Sequence, residues 1–281
     1  MKRQADPPRP PQPPVAPGAS ADALLRRAIE AFARGFAFTR SFTHPYVAEP
    51  IDCPAGLLWA VRDAPRQRGD YRTDEFAALD AAPAEVDRLA RRHTRGRFSV
   101  CAIARPGDEA RVRDSYKAIG YRLARTEPVM CRPAADPIPR CATGASPPAA
   151  IERVCAAEAA DALARAARSR QILPEHLAAG DAAPIRQYAA HVGDEVAGWV
   201  RSIAVDGADG QRSGWCSNLY VRPPHRRRGI AKALLARMLR DDRAAGITLN
   251  VLTASHTGAL LYPAMGYRAV ATLLLLTPLR R

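Results

Sequence analysis

The sequence predicts an α/β protein, a sheet with helices on both faces, laid out as two tandem copies of one unit. Three observations carry this. After residue 149 the apolar pattern runs as strands in series and then strand, helix, strand, helix, strand, an order that buries a sheet under helices on both sides. The string Tyr-x-Ala-x-Gly-Tyr-Arg occurs twice, in YKAIGYRLA at 116–124 and YPAMGYRAV at 262–270, 146 residues apart, each time after a strand-like run. Between the copies lies RPAADPIPRCATGASPP, residues 132–148, whose five prolines read as a linker.

Residues 1–19 hold seven prolines between Pro7 and Pro17 and read as an extended tail with no apolar segment of a secretory signal. The first unit is expected at 20–131. Ser20 is placed to cap a helix whose Leu24, Leu25, Ala28, Ile29 and Phe32 recur at helical spacing, with Gly35 as its stop. GLLWAV (56–61) and FSVCAI (98–103) read as buried strands, TDEF (73–76) as a helix start, and Pro83 as the opening residue of AEVDRLARR. The second unit is expected at 149–281. It begins with a helix over 151–168, then IRQYAAHV and VAGWVRSIAV joined by the turn Gly193-Asp194-Glu195 as a hairpin, then the strand GWCSNLYV (214–221). The helix IAKALLARMLRDDRAAG stopped by Gly246, the strand ITLNVL, a short helix over HTGALLY and the strand YRAVATLLLL complete it.

Composition narrows the function. The 281 residues are 47% apolar and 25% charged, enough for two domains, and apolar runs such as Leu273 to Leu276 fall short of the roughly 20 residues a membrane helix needs. No membrane association and a cytoplasmic location are expected. The net charge of +14 invites a nucleic-acid reading, but lysine stands only at positions 2, 117 and 232, leaving 39 arginines, the mark of a GC-rich coding bias. The excess is spread evenly, 24 basic to 17 acidic in residues 1–148 and 18 to 11 in 149–281, so nucleic acid is not an expected partner. The six cysteines form no CxxC and no HExxH occurs, so no metal site is expected; Cys101 and Cys216 read as buried small hydrophobes.

The chemistry concentrates in NLYVRPPHRRRGIAKALL, residues 218–235, where a strand ends at Val221 and a donor-rich loop runs into a helix beginning near Gly229. A helix N-terminus offers unpaired N–H groups and a positive dipole end, a place for a diphosphate. Gly229 lets the backbone approach closely, Ala231 keeps the first turn open, and Arg226, Arg227 and Arg228 raise the local potential. Arg226-x-x-Gly229-x-Ala231 after LYV, with ALLYPAMGY about thirty residues on, resembles the GNAT superfamily of N-acetyltransferases, whose signature is (Gln/Arg)-x-x-Gly-x-(Gly/Ala). The resemblance covers residues 149–281 and implies a mixed, mostly antiparallel twisted sheet flanked by helices, with the first half a degenerate copy.

The resemblance also implies roles. Leu219, Tyr220 and Val221 would pair with the pantetheine arm of acetyl-CoA, and the amides of Arg226, Arg227, Arg228, Gly229, Ile230, Ala231 and Lys232 would hold its diphosphate. Ser255 stands where relatives carry an asparagine that contacts the cofactor. Tyr262 matches the tyrosine that protonates the departing thiolate, with Pro263 expected to kink its helix. A phenol near pKa 10 is only slightly weaker than a thiol near 8.5, so this proton transfer is chemically sound. Tyr116 reads as a core residue, because no such loop precedes it.

A base is harder to place. Relatives have Glu or Asp where this strand has Ser217 and Asn218, and His225 and His256 read as solvated or capping residues. Asp74 and Glu75 are the remaining candidates, acting through water. The expected activity is acetyl transfer from acetyl-CoA to the amine of a small molecule or protein by direct attack in a ternary complex. The alternative is a non-catalytic acyl-CoA-binding module that regulates or docks a partner.

Overall fold

The computed structural model describes residues 19–39, 46–65, 69–140 and 149–279. Of the expected tail 1–19, residues 1–18 lie outside the described residues, as do residues 141–148 of the expected linker 132–148; the start of that linker is corrected, because Arg132 and Pro133 belong to the strand that ends the first half and Arg132 is buried. The first half contains α1 (Ala19–Thr39), β1 (Tyr46–Ile51), β2 (Leu57–Asp63), β3 (Asp74–Leu79), α2 (Pro83–His93), β4 (Phe98–Ala104), α3 (Glu109–Ala118) and β5 (Tyr121–Pro133). The second half contains β6 (Ala150–Arg153), α4 (Ala157–Ala167), α5 (Pro174–Ala178), β7 (Ile185–Val192), β8 (Glu195–Asp206), β9 (Arg212–Val221), α6 (Ile230–Ala244), β10 (Leu249–Thr253) and β11 (Arg268–Pro278). Among the described residues no helix is long and apolar enough to cross a membrane.

The halves follow one plan. In each, a helix and a hairpin lead to two parallel strands that flank a helix, β3-α2-β4 in the first and β9-α6-β10 in the second. The duplicated string does the same work twice: Gly120 and Gly266 turn the chain with φ of +87° and +85°. Tyr116 meets Tyr121 edge-on at 5.4 Å, and Tyr262 meets Tyr267 at 5.6 Å.

Among the described residues eleven strands join one sheet, ordered β1-β2-β3-β4-β11-β5-β10-β9-β8-β7-β6. The order is not two sheets side by side. β11, the last strand of the second half, pairs with β4 of the first through Thr272↔Ala104 to Leu276↔Val100. β5, the last strand of the first half, pairs with β10 of the second through Leu249↔Pro133 to Thr253↔Val129. The two exchanged strands pair antiparallel with each other. Each half thus closes the other's sheet, and among the described residues only β3 with β4 and β9 with β10 run parallel.

One face of the sheet carries a single core shared by both halves, with Leu25, Ile29 and Phe32 of α1, Trp59 of β2, Trp215 of β9 and Leu273 of β11. The opposite face carries two cores, one under α2 and α3 around Phe76, Val100 and Tyr116, the other under α6 around Leu234, Met238 and Tyr262. Cys101 and Cys216 are buried, as small hydrophobes are.

Four local expectations are corrected. Ser20 lies one residue inside α1 rather than before it. The expected helix over 151–168 gives up its start to β6, because Ile151 to Arg153 extend the free edge of β7, and only Ala157–Ala167 is helical. TDEF is the start of β3: the Asp74 carboxylate accepts from Thr94 Oγ1 at 2.9 Å and Arg95 N at 3.2 Å, and the chain runs parallel to β4. Gly35 does not stop α1, which runs on to Thr39. A Cβ there would lie 2.3 Å from Trp215 Cβ, so the glycine lets the helix press against β9. Arg27 of α1 ties the same contact, donating to Ser213 Oγ at 2.9 Å, Gln211 Oε1 at 2.7 Å and Arg212 O at 2.9 Å.

Gly35→Val forces a side chain into that contact and should cost about 3 kcal/mol or more, read as a lower urea midpoint. Gly96→Ala, whose Cβ meets nothing within 4 Å, should leave the midpoint unchanged. Equal midpoints for the two variants would show that α1 does not rest on Trp215.

Candidate active site

β9 and β10 stay paired only from Ser213↔Leu249 to Trp215↔Val251, and β9 then continues to Val221 with no ladder on that side. A bulge opposite β8 helps it diverge. The register shifts between Trp199↔Tyr220 and Arg201↔Ser217, and Asn218 takes the left-handed region at φ +53°. The Asn218 amide donates to Gln171 Oε1 at 2.6 Å, and the same oxygen accepts from Arg201, whose burial pushes its guanidinium down to about 10. Ser217 Oγ is buried and makes no hydrogen bond among the described residues. This cluster left no pattern in the sequence, since its members come from β8, β9 and the α4–α5 connection.

From Val221 the chain turns through Pro223–His225 into α6. Arg227 and Gly229 adopt φ of +63° and +78°. The Arg226 amide is used by Pro223 O at 3.2 Å, whereas no main-chain carbonyl accepts from the amides of Arg227 and Gly229 to Lys232 among the described residues. They form an uncapped helix start with the positive dipole end behind them. Arg226 folds back, its Nε on Val221 O at 3.0 Å and its guanidinium over the Tyr220 ring, which stacks on Trp199 at 4.9 Å.

His225 is buried, not solvated. Its Nε2 meets Glu195 Oε2 at 3.1 Å and its Nδ1 meets Arg228 Nη1 at 3.3 Å. Because a guanidinium only donates, Nδ1 accepts and the ring proton sits on Nε2, facing the carboxylate. His225 therefore fastens the loop to the β7–β8 turn. α6 is fastened at its other end: Asp242, fully buried, accepts from Arg186 Nη2 at 2.7 Å, Ser202 Oγ at 2.9 Å and Asn250 Nδ2 at 2.7 Å. Gly214 leaves room for that network, since a Cβ there would fall 2.8 Å from Asn250 Nδ2.

Tyr262 sits across the second core from the loop, in a 3₁₀ turn over Tyr262–Met265 rather than on an α-helix. Pro263 occupies the first turn, where its missing N–H costs nothing, so it starts this turn and kinks no helix. HTGALLY forms only the short turn Gly258–Leu260 before it. Burial holds the Tyr262 phenol well above its ordinary pKa, with the neighbouring Cys216 adding to the effect. Its hydroxyl makes no hydrogen bond among the described residues. Ser255 is exposed, its Oγ accepting from Gly258 N at 3.2 Å, and His256 beside it is exposed.

The first half supports this turn. Arg132 of β5, fully buried, donates from Nε to Met265 O at 3.0 Å, from Nη1 to Pro133 O at 3.0 Å and from Nη2 to Asp136 O at 2.6 Å. Asp74 and Glu75 do not reach the site. β3 stands five strand positions from β9, roughly 24 Å at the usual spacing. Among the described residues no group of three or more His, Cys, Asp or Glu side chains is gathered for a metal ion.

A diverging parallel strand pair with an uncapped helix at its mouth forms the candidate site. Residues 184–269 match the family model described as Acetyltransferase (GNAT) domain. The GCN5-related N-acetyltransferase from Kribbella flavida shares the fold at 18% identity and a TM-score of 0.59, over 91% of this chain and 96% of that one. The GCN5-related N-acetyltransferase from Sphaerobacter thermophilus follows at 18% identity and 0.52, over 80% and 77%. A functionally unknown conserved protein from Staphylococcus epidermidis matches at 11% identity and 0.50, over 82% and 94%. No curated protein matches the chain.

Arg132→Met removes the three donors while keeping most of the apolar bulk. Leaving buried carbonyls unpaired should cost about 3 kcal/mol and lower Tm by several degrees. A melting curve matching the parent's would show that the turn under Tyr262 does not depend on β5.

Proposed function

We propose that the second half binds acetyl-CoA where β9 leaves β10 and transfers the acetyl group to a primary amine by direct attack. The observation that carries this reading is the row of open amides, Arg227 and Gly229 to Lys232, standing at the end of a strand edge that has lost its partner. The residues present fit the group. The amides, with Arg226, Arg227, Arg228 and Lys232 around them, suit a diphosphate, and the left-handed Arg227 and Gly229 turn successive N–H groups toward one side. The edge at Leu219, Tyr220 and Val221 suits an amide-bearing arm that adds to a sheet as a strand does.

Bound acetyl-CoA supplies an activated acyl group with a good leaving thiolate. The chain's own part is to orient, to stabilise charge and to deliver one proton. The β9 amides past the bulge can donate to the carbonyl oxygen as negative charge develops there. Tyr262, its proton held by burial, remains a donor across the working pH range, so activity lost on the alkaline side would not come from this phenol. Ser217 and Asn218 stand at the bulge in place of a carboxylate, so the amine enters neutral or loses its proton to water. The same substitution favours the second reading, a module that binds acyl-CoA without turnover. Ser255 Oγ accepts from Gly258 N and keeps its own proton, which it can donate to the cofactor.

CoA-thiol release over a panel of amines separates the two readings, since the binding module releases none. With an amine that turns over, Tyr262→Phe should lower kcat toward the low end of the roughly 100- to 10,000-fold range of general acid catalysis and leave KM for acetyl-CoA nearly unchanged. Wild-type turnover in the variant would make Tyr262 a packing residue.

A further inference from the structure

The β9 bulge carries a side chain whose direction is fixed and whose carbonyl is unused. Asn218 is exposed and left-handed at φ +53°, and its Nδ2 donates to Gln171 Oε1 at 2.6 Å. The chemistry of the neighbours dictates which end of each amide points where. A guanidinium has only donors, so Arg201 Nη2 requires an oxygen at Gln171. At the other end of the same amide the Ser169 carbonyl, 3.1 Å away, can only accept, and it requires a nitrogen; Gln171 Nε2 supplies it and also meets Ser169 Oγ at 2.7 Å. Gln171 is buried and cannot turn over without losing both ends. Asn218 must then present Nδ2, and its Oδ1 faces the other way, with no hydrogen bond among the described residues.

The place of this oxygen gives its use. Gln171 directly precedes Ile172, which packs in the core shared by both halves, whereas Tyr262 lies in a core of the opposite face. An acyl group lying on β9 past the bulge thus has Asn218 toward one face of the sheet and the proposed acid toward the other. An arriving amine has N–H groups to place and a lone pair to aim, and the positive charge that grows on nitrogen during attack strengthens an N–H···O bond. Ser217 Oγ, buried beside it, offers no exposed alternative. We infer that Asn218 Oδ1 is the acceptor-amine contact of this site: it takes an N–H of the incoming primary amine and aims the lone pair at the acetyl carbon, with Gln171 as the positioning residue that holds it. The N–C bond forms and the C–S bond breaks; the thiolate takes the Tyr262 proton, the proton shed by nitrogen goes to water, and water returns one to the phenolate. The assignment rests on the reading of β9 as the strand that holds the thioester; the fixed direction of the two amides does not.

Asn218→Gly in the full chain separates this role from a backbone one, because glycine takes the left-handed region freely and only the amide is lost. With an amine that turns over, kcat/KM for the amine should fall roughly ten- to hundredfold, the worth of a hydrogen bond to a group gaining charge. KM for acetyl-CoA, which reads the β9 edge itself, and the circular dichroism spectrum should stay as in the parent. Gln171→Met should lower the same constant yet cost nothing further when added to Asn218→Gly, since it acts through Asn218. Asn218→Gly, at an exposed position, decides alone if Gln171→Met does not fold. Parent kinetics in Asn218→Gly, or losses that add in the double variant, would overturn this assignment and leave the transferase reading standing. A parent chain that releases no CoA thiol with any amine would overturn both.

Discussion

The exchange of β5 and β11 is the constraint on which the rest of this structure depends. A strand donated across the middle of a sheet cannot be withdrawn without opening two ladders at once, β5 from β10 and β11, and β11 from β4 and β5. The halves therefore fold as one unit, although each has its own helical layer on one face. The shared core under α1 and α4 follows from the same fact: once the strands interleave, Phe32 of the first half meets Trp215 of the second as directly as any neighbour within a half.

This coupling reaches the candidate site. The second half supplies the loop, the diverging edge and Tyr262, but the turn that holds Tyr262 is tied by Arg132 from β5, and β9 lies against α1. The buried Arg186–Asp242 pair fixes α6 and with it the open amides; Arg186 donates to Oδ1 while Ser202 and Asn250 donate to Oδ2, so both carboxylate oxygens are used, as a charge removed from water requires. First-half residues thus serve geometry rather than proton transfer. Asp74, which the sequence left open as a base, spends its carboxylate on Thr94 and Arg95.

What could be read from the chain alone was whatever depends on neighbours in sequence. The hairpin around Gly193, α6 with its Arg226-x-x-Gly229-x-Ala231 start, and the repeated Tyr–Gly–Tyr turn are set by local spacing and left-handed glycines, and they stand where expected. What depends on distant partners stayed hidden. Gly35 carries the ordinary signature of a helix stop, and only the indole across the core explains it. TDEF has the look of a helix start until β4 lies beside it. His225 reads as solvated until Glu195 and Arg228 close on it. The exchanged strands have no signature at all, because a strand's sequence records that it is buried but not which edge it joins.

The most direct test is to express residues 1–140 and 149–281 as separate chains, alone and together. The interleaved sheet predicts that neither gives a dispersed amide spectrum alone and that the pair reassembles into a one-to-one complex with the spectrum of the intact chain. A folded, monomeric 149–281 segment with its own complete sheet would contradict the account.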